Sequence, residues 1–247
     1  MRARSRQGEA VEKSKRNQSM HTNVNLSAPI GALALLGMLF LLFVAAVVLI
    51  QSLIARKRRR TKFSLLAMLV IAGGYLGAIL IFSLASQEKV LARGEEKHFC
   101  EIDCHLAYSV INIRQSKTLG PPPNQLSAQG VFVVVTIKTR FDETTIASFR
   151  GNGLLYPNSR VLTLLDERGN KYSQSIAGQR ALDALPGGGS ALTTPLRPGE
   201  SYTTEAAFDL PAEVKATSLL INEGEWMTHL VIGHENSPLH RQTPFQL

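Results

Sequence analysis

The sequence predicts a membrane-anchored all-β protein, with two transmembrane helices followed by one antiparallel β-sandwich. Three observations predict it. Residues 26–55 and 63–85 contain no charged side chain. The stretch between them packs six basic residues into seven positions. From about residue 105 onward, short β-prone runs alternate with turn-forming clusters and no helical period intervenes. The 45% hydrophobic content is therefore an average over two different compositions.

Residues 1–29 form a basic N-terminal tail, with Arg2, Arg4, Arg6, Lys13, Lys15 and Arg16. The first span is placed at 30–54, of which 30–50 alone supplies the ~20 apolar residues that cross a bilayer core. A helix is the form expected in hydrocarbon, because it satisfies its own backbone polar groups. The run exceeds the ~7–15 apolar residues of a signal peptide and is followed by arginines rather than a small-residue cleavage site. It is expected to stay in the mature chain.

The loop at 55–62 carries Arg56, Lys57, Arg58, Arg59, Arg60 and Lys62. Such a loop is a topology signal and an attraction to anionic lipid headgroups, so it is placed in the cytoplasm. Both termini then lie outside. The protein is expected in the cell (inner) membrane, multi-pass, with its C-terminal domain periplasmic or extracellular. The basic tail opposes that orientation, and translation from Met20 instead of Met1 would remove the conflict. No aromatic platform or recognition motif accompanies the basic residues, which argues against nucleic acid.

In the second span, 63–85, Gly73 and Gly77 stand in GxxxG spacing, which permits close helix approach. Packing against the first helix is the preferred role, and homodimerisation is the alternative. Residues 86–104 are read as a polar stalk, and the chain's only concentrated chemistry, His98, Cys100, Cys104 and His105, lies where the stalk meets the domain. Three chemistries fit this cluster. In an oxidising compartment the two cysteines would form a disulfide, which a helical turn or a loop permits and an extended strand does not. Thiolates with imidazoles would also suit copper or zinc. Covalent haem expects C-x-x-C-H, one residue shorter than the spacing here. The cluster resembles extracytoplasmic copper sites, and the layout looks like subunit two of cytochrome oxidase. The His-x-x-Met expected after the second cysteine of that site is missing. No cofactor is needed merely to fold the domain.

The β domain is placed at 105–247, with strands at 107–113, 130–139, 144–149, 160–165, 201–208, 217–221 and 227–232. Clusters such as Gly120-Pro-Pro-Pro-Asn124, Arg197-Pro-Gly-Glu200 and Asn222-Glu-Gly-Glu225 separate them and favour bends. The three glycines at 187–189 are read as a long loop, and Trp226 as core or sandwich rim. Asp142, Glu143, Asp166, Glu167 and Asp209 fall in turns or at strand ends, and no serine sits in a nucleophile elbow, so no catalytic residue is assigned.

The run 131–139, then Leu164-Leu-Asp-Glu-Arg-Gly-Asn-Lys-Tyr172, Leu196-Arg-Pro-Gly-Glu200, Ala207-Phe-Asp-Leu-Pro211 and Ser218-Leu-Leu-Ile221 resembles the telokin-like, immunoglobulin-type bacterial domains of unknown function. The resemblance covers roughly residues 105–235. It implies an immunoglobulin-like sandwich that acts outside the cytoplasm in adhesion, sensing or accessory roles, without its own catalysis. The expected partners are membrane lipids and a membrane or envelope protein. The alternative from another class is a copper-handling or thiol-redox accessory protein using the Cys100, Cys104 and His105 cluster.

Overall fold

The computed structural model describes residues 20–100, 104–146, 150–187 and 189–247. Two helices, α1 (Ala28–Ile54) and α2 (Arg58–Leu84), run as an antiparallel hairpin, each long and apolar enough to cross a membrane. Pro29 fits the first turn of α1, where a missing N–H costs nothing. The second helix starts within the basic cluster, because arginine and lysine are good helix formers and no proline or glycine stops them. The expected loop at 55–62 is therefore only the turn at 55–57. Arg58, Arg59, Arg60 and Lys62 ride on the first turns of α2, while Arg56 takes a positive φ of 50° in the turn.

The seam between the helices is built from Leu35 and Tyr75 with Ile79, assisted by Ala34, Met38, Ala78 and Phe82. Farther along, Ser64 Oγ donates to the Ala45 carbonyl at 2.7 Å. Gly73 and Gly77 are not at this seam, since a Cβ added to either would meet nothing within 4 Å. The larger neighbours Tyr75 and Ile79 fill the interface in their place.

Beyond the hairpin the chain builds two sheets around one apolar core. The first has the order β1 (His21–Thr22), β2 (Lys97–Phe99), β3 (Leu106–Leu119), β4 (Leu126–Phe141) and β7 (Ser201–Leu210). The second has the order β6 (Lys171–Ser173), β5 (Arg160–Asp166), β8 (Ala216–Glu223) and β9 (Phe245–Gln246). Tyr108, Val133, Val135 and Phe208 of the first sheet share the core with Leu164, Leu219, Ile221 and Phe245 of the second.

The apolar run 131–135 does not alternate, because both faces of β4 are covered. Val133 and Val135 face the main core, whereas Phe132 and Val134 pack under a short helix α3 (Ile176–Asp183) with Leu182 and Ala207. This helix is absent from the sequence expectations. It has eight residues and a glycine in its first turn, too little for a visible period. Ser175 caps it by accepting from Gly178 N, and Gln179 reaches the outer edge of β7, accepting from Ala207 N and donating to Glu205 O. The otherwise open edge of the sheet is thereby blunted.

Two expected strands are not strands among the described residues. Residues 143–145 form a 3-10 turn, and 147–149 lie outside the described residues. The β-prone stretch near 227–232 begins as a 3-10 turn over Trp226–Leu230, since the edge of β8 that it would need is already paired with β9. Nor is 86–96 a free stalk. Leu91 is in the core, donating its N–H to Pro244 O and accepting from Gln246 N.

Candidate functional site

Strands β2 and β3 pair antiparallel, with His98 opposite Ala107 and Phe99 opposite Leu106, which places Cys100 at the end of one strand close to Cys104 before the other. Cys100 and Cys104 form a disulfide, their Cα atoms 4.0 Å apart. They do not share one extended strand, where cysteines four apart could not meet.

Strand pairing sends the two histidines to other partners. His98 Nε2 lies 3.1 Å from Asp142 Oδ2, and His105 Nδ1 lies 3.0 Å from Thr145 Oγ1 while its ring stacks on Phe141. The four predicted donors thus do not converge. The sulfurs hold each other, and each imidazole is turned onto the segment after β4. Among the described residues no group of three His, Cys, Asp or Glu side chains is arranged to hold a metal ion.

Asp142 organises this corner. It accepts from Thr144 N at 3.0 Å, Thr144 Oγ1 at 2.7 Å and Arg140 Nη2 at 3.1 Å. Burial pushes its carboxyl up, but the bonds from Thr144, Arg140 and His98 outweigh burial and hold it far below the usual carboxylate range. Arg140 also clamps Glu96 through Nε at 2.8 Å and Nη2 at 2.6 Å, and that bonding lowers Glu96 as well.

Behind the disulfide lies a polar cluster that the sequence reading missed. Asn23 is 1% exposed and bonds in four directions. Its Nδ2 donates to Glu223 Oε1 at 2.8 Å and lies 3.2 Å from His234 Nε2; its Oδ1 accepts from Cys100 N at 2.8 Å; its N–H donates to His98 O; and its carbonyl accepts from Glu235 N. Lys97, 0% exposed, points Nζ at both carboxylate oxygens of Glu235 at 2.7 Å and at the carbonyl of Ile221 at 3.2 Å. Burial pulls Lys97 below and pushes Glu235 above their ordinary values, and the pairing of the two opposes both shifts.

Arg160 completes the cluster, with Nη1 3.9 Å from Glu223 Oε1 and its guanidinium over the rings of Phe99 and Tyr108. Burial raises the Glu223 carboxyl, while His234, Arg160 and Asn23 lower it further than burial raises it. The members come from the segment before α1, from β2, β5 and β8, and from the C-terminal stretch. Local sequence gives no sign of this convergence, since Asn23 and Glu223 are 200 positions apart.

A cleft of about 270 Å³ opens beside the cluster, between the domain and the helix ends, lined by His21, Asn25, Ser86, Lys89, Glu235 and His240 among others. Burial lowers His240, favouring the neutral ring. The cleft can take a small polar group, and of its lining hydroxyls Thr22 donates to Val24 O and Ser86 to Ser83 O.

No protein-family model matches the sequence, and no curated protein matches it significantly. Among solved structures, the chain is similar to a conserved hypothetical protein from Bacillus anthracis, at 18% identity over 52% of this chain and 91% of that one, with a TM-score of 0.38. It is also similar to the secreted protein MPT63 of Mycobacterium tuberculosis, at 16% identity over 56% of this chain and 92% of that one, with a TM-score of 0.36.

Proposed function

We propose that the chain is a membrane-tethered, extracytoplasmic protein whose immunoglobulin-like β-sandwich serves a non-catalytic binding or accessory role in an envelope complex, with the Cys100–Cys104 disulfide as a structural staple. The observation that carries this reading is the polarity of the hairpin. Arg56, Lys57, Arg58, Arg59, Arg60 and Lys62 lie at one end, and the disulfide lies in the domain at the other. Positive charge beside a span favours the cytoplasm, and a disulfide favours an oxidising compartment, so two unrelated arguments orient the molecule the same way. The two sheets facing one core support the immunoglobulin-like assignment. A buried polar cluster whose charges pair with one another supports a structural or binding role for the domain.

The test is protease protection in intact cells or spheroplasts. The domain is expected to be cut from outside and a tag in the 55–57 turn to be protected. A protected domain would reverse the orientation and remove the case for the staple. Metal analysis after purification under reducing conditions tests the staple separately. Stoichiometric copper or zinc that is lost on Cys100→Ser and Cys104→Ser would replace it with a metal-handling role.

A further inference from the structure

The 3-10 turn Trp226–Leu230 leaves the sheets and comes down alongside the hairpin. The Tyr75 hydroxyl donates to the Leu230 carbonyl at 2.7 Å, and Ile232 joins Leu35, Tyr75 and Ile79 in one buried cluster. Gly31, in the first turn of α1, has no room for a side chain, since a Cβ there would lie 2.9 Å from both Ile232 O and Val231 Cγ1. Tyr75 is nine residues before the end of α2, or about 14 Å along a helix rising 1.5 Å per residue. At 27 residues each, the helices are about 40 Å long against a hydrocarbon core of ~30 Å. With that excess shared between the two ends, about 5 Å of each domain-side end stands in the headgroup layer, and the Tyr75–Leu230 contact lies about 9 Å below it, among the acyl chains of the outer leaflet, with the turn joining it to the domain above.

On this turn Trp226 is 69% exposed, Met227 48% and Leu230 37%. Exposure alone decides nothing, because Tyr156 is equally exposed on the domain. Location does, since the turn is tied to the flank of the hairpin at Tyr75 and Gly31. Its polar groups are met locally. Thr228 donates its N–H and hydroxyl to Glu225 O, Val231 N donates to Thr228 O, and Asn236 Nδ2 donates to Thr228 Oγ1. His229 Nδ1 lies 3.1 Å from Trp226 O. A turn so satisfied tolerates a poorly hydrated setting. Exposed Glu225, where the turn leaves β8, favours the headgroup level for the Trp226 end of the turn.

We infer that Trp226, Met227 and Leu230 form a second, interfacial membrane contact, which lays the β domain against the outer face of the bilayer. The occupant of this apolar patch is lipid at the headgroup–acyl boundary, where tryptophan is favoured by its flat apolar ring and its N–H. The inference rests on the reading of the hairpin as a membrane anchor.

Trp226 is the chain's single tryptophan, so native fluorescence reports it alone. The full chain is reconstituted into phosphatidylcholine vesicles with iodide on both faces, or with lipid brominated near the carbonyl or near the methyl end of its acyl chains. Shallow bromine is expected to quench several-fold more than deep bromine or iodide. Dominant quenching by iodide would place the ring in water and overturn the inference, as would dominant quenching by deep bromine. Quenching by none of the three would mean that protein covers the ring, and would overturn it too. Alkaline carbonate separates the two readings. A chain stripped from vesicles loses its anchor, whereas a chain that stays with an iodide-quenched tryptophan loses only the interfacial contact.

Discussion

At the scale of single residues, the corner around Asp142 makes the clearest prediction. Its carboxylate is held charged by Thr144, Arg140 and His98, so its folded value lies below the ~3.9 of an unfolded aspartate. The unfolded state therefore binds more protons between those two values, and stability rises with pH there. The contribution is complete above about pH 4 and is lost as the pH falls through the depressed value. Asp142→Asn is expected to cost about 1.5–3 kcal/mol near neutrality, the usual worth of hydrogen bonds to a charged group. The gap in thermal midpoint between wild type and variant should then close in acid. A gap of constant width down to low pH would show that the charge is not what the corner uses. Buried Glu235 shifts the other way and is common to both proteins, so it drops out of the comparison.

At the scale of elements, the glycines of the two helices have opposite roles. The GxxxG spacing of Gly73 and Gly77 is easily read from sequence, yet both face open space, whereas isolated Gly31 is where Val231 and Ile232 press on α1. Gly233 matches it from the other side: its φ is +78°, and a Cβ there would be 2.6 Å from Leu26 Cβ. Gly31→Val is expected to push the 231–233 segment away, lower the thermal midpoint and expose Tyr75. Gly77→Ile is expected to leave the fold of the monomer unchanged. Thermal unfolding in detergent checks both, and a strongly destabilised Gly77→Ile would refute the seam described here. Crosslinking of the same variant in membranes reads the alternative role: a dimer present in wild type and lost in the variant would assign the open face to another copy.

Legibility followed the range of the interactions. The helices, β3, β4, β5, β7 and β8 overlap the segments that composition and turn chemistry mark, because each is decided largely by nearby residues, although α2 starts earlier at Arg58 and β3 runs on to Leu119. The disulfide fell within reach because its cysteines are four apart. Elements decided at long range stayed hidden. Strands β1, β2 and β9 have two or three residues each and exist only through their pairing partners. Charged Lys97, Arg160, Glu223 and Glu235 read as surface until the fold brings them together. Trp226 is expected in the core or at the sandwich rim, and the structure leaves it 69% exposed on a 3-10 turn beside the hairpin, a place that no local pattern marks.

At the scale of the whole molecule, these hidden ties decide whether anchor and domain move separately. The polar composition of 86–96 suggests a tether, and a tether would let the domain swing. The structure instead joins the two at several points. Strand β1 pairs with β2 just before α1 begins, Asn25 Nδ2 donates to Phe82 O at 2.8 Å near the end of α2, Arg241 N donates to Ser86 Oγ at 2.9 Å, and Tyr75 holds Leu230. Cutting the connector should therefore not free the domain. A protease site placed in the exposed turn at 92–95 severs the covalent path from α2 to β2, but leaves β1, Asn23, Leu91 and the 226–233 segment in place. After complete cleavage in native membranes, the fragment carrying residues 96–247 is expected to sediment with the membrane and to leave it only in denaturant. Immediate release into the supernatant would mean that the connector alone carries the domain. It would also remove the basis for a fixed distance between the bilayer and whatever the sandwich binds, the property that distinguishes a docked accessory domain from one on a leash.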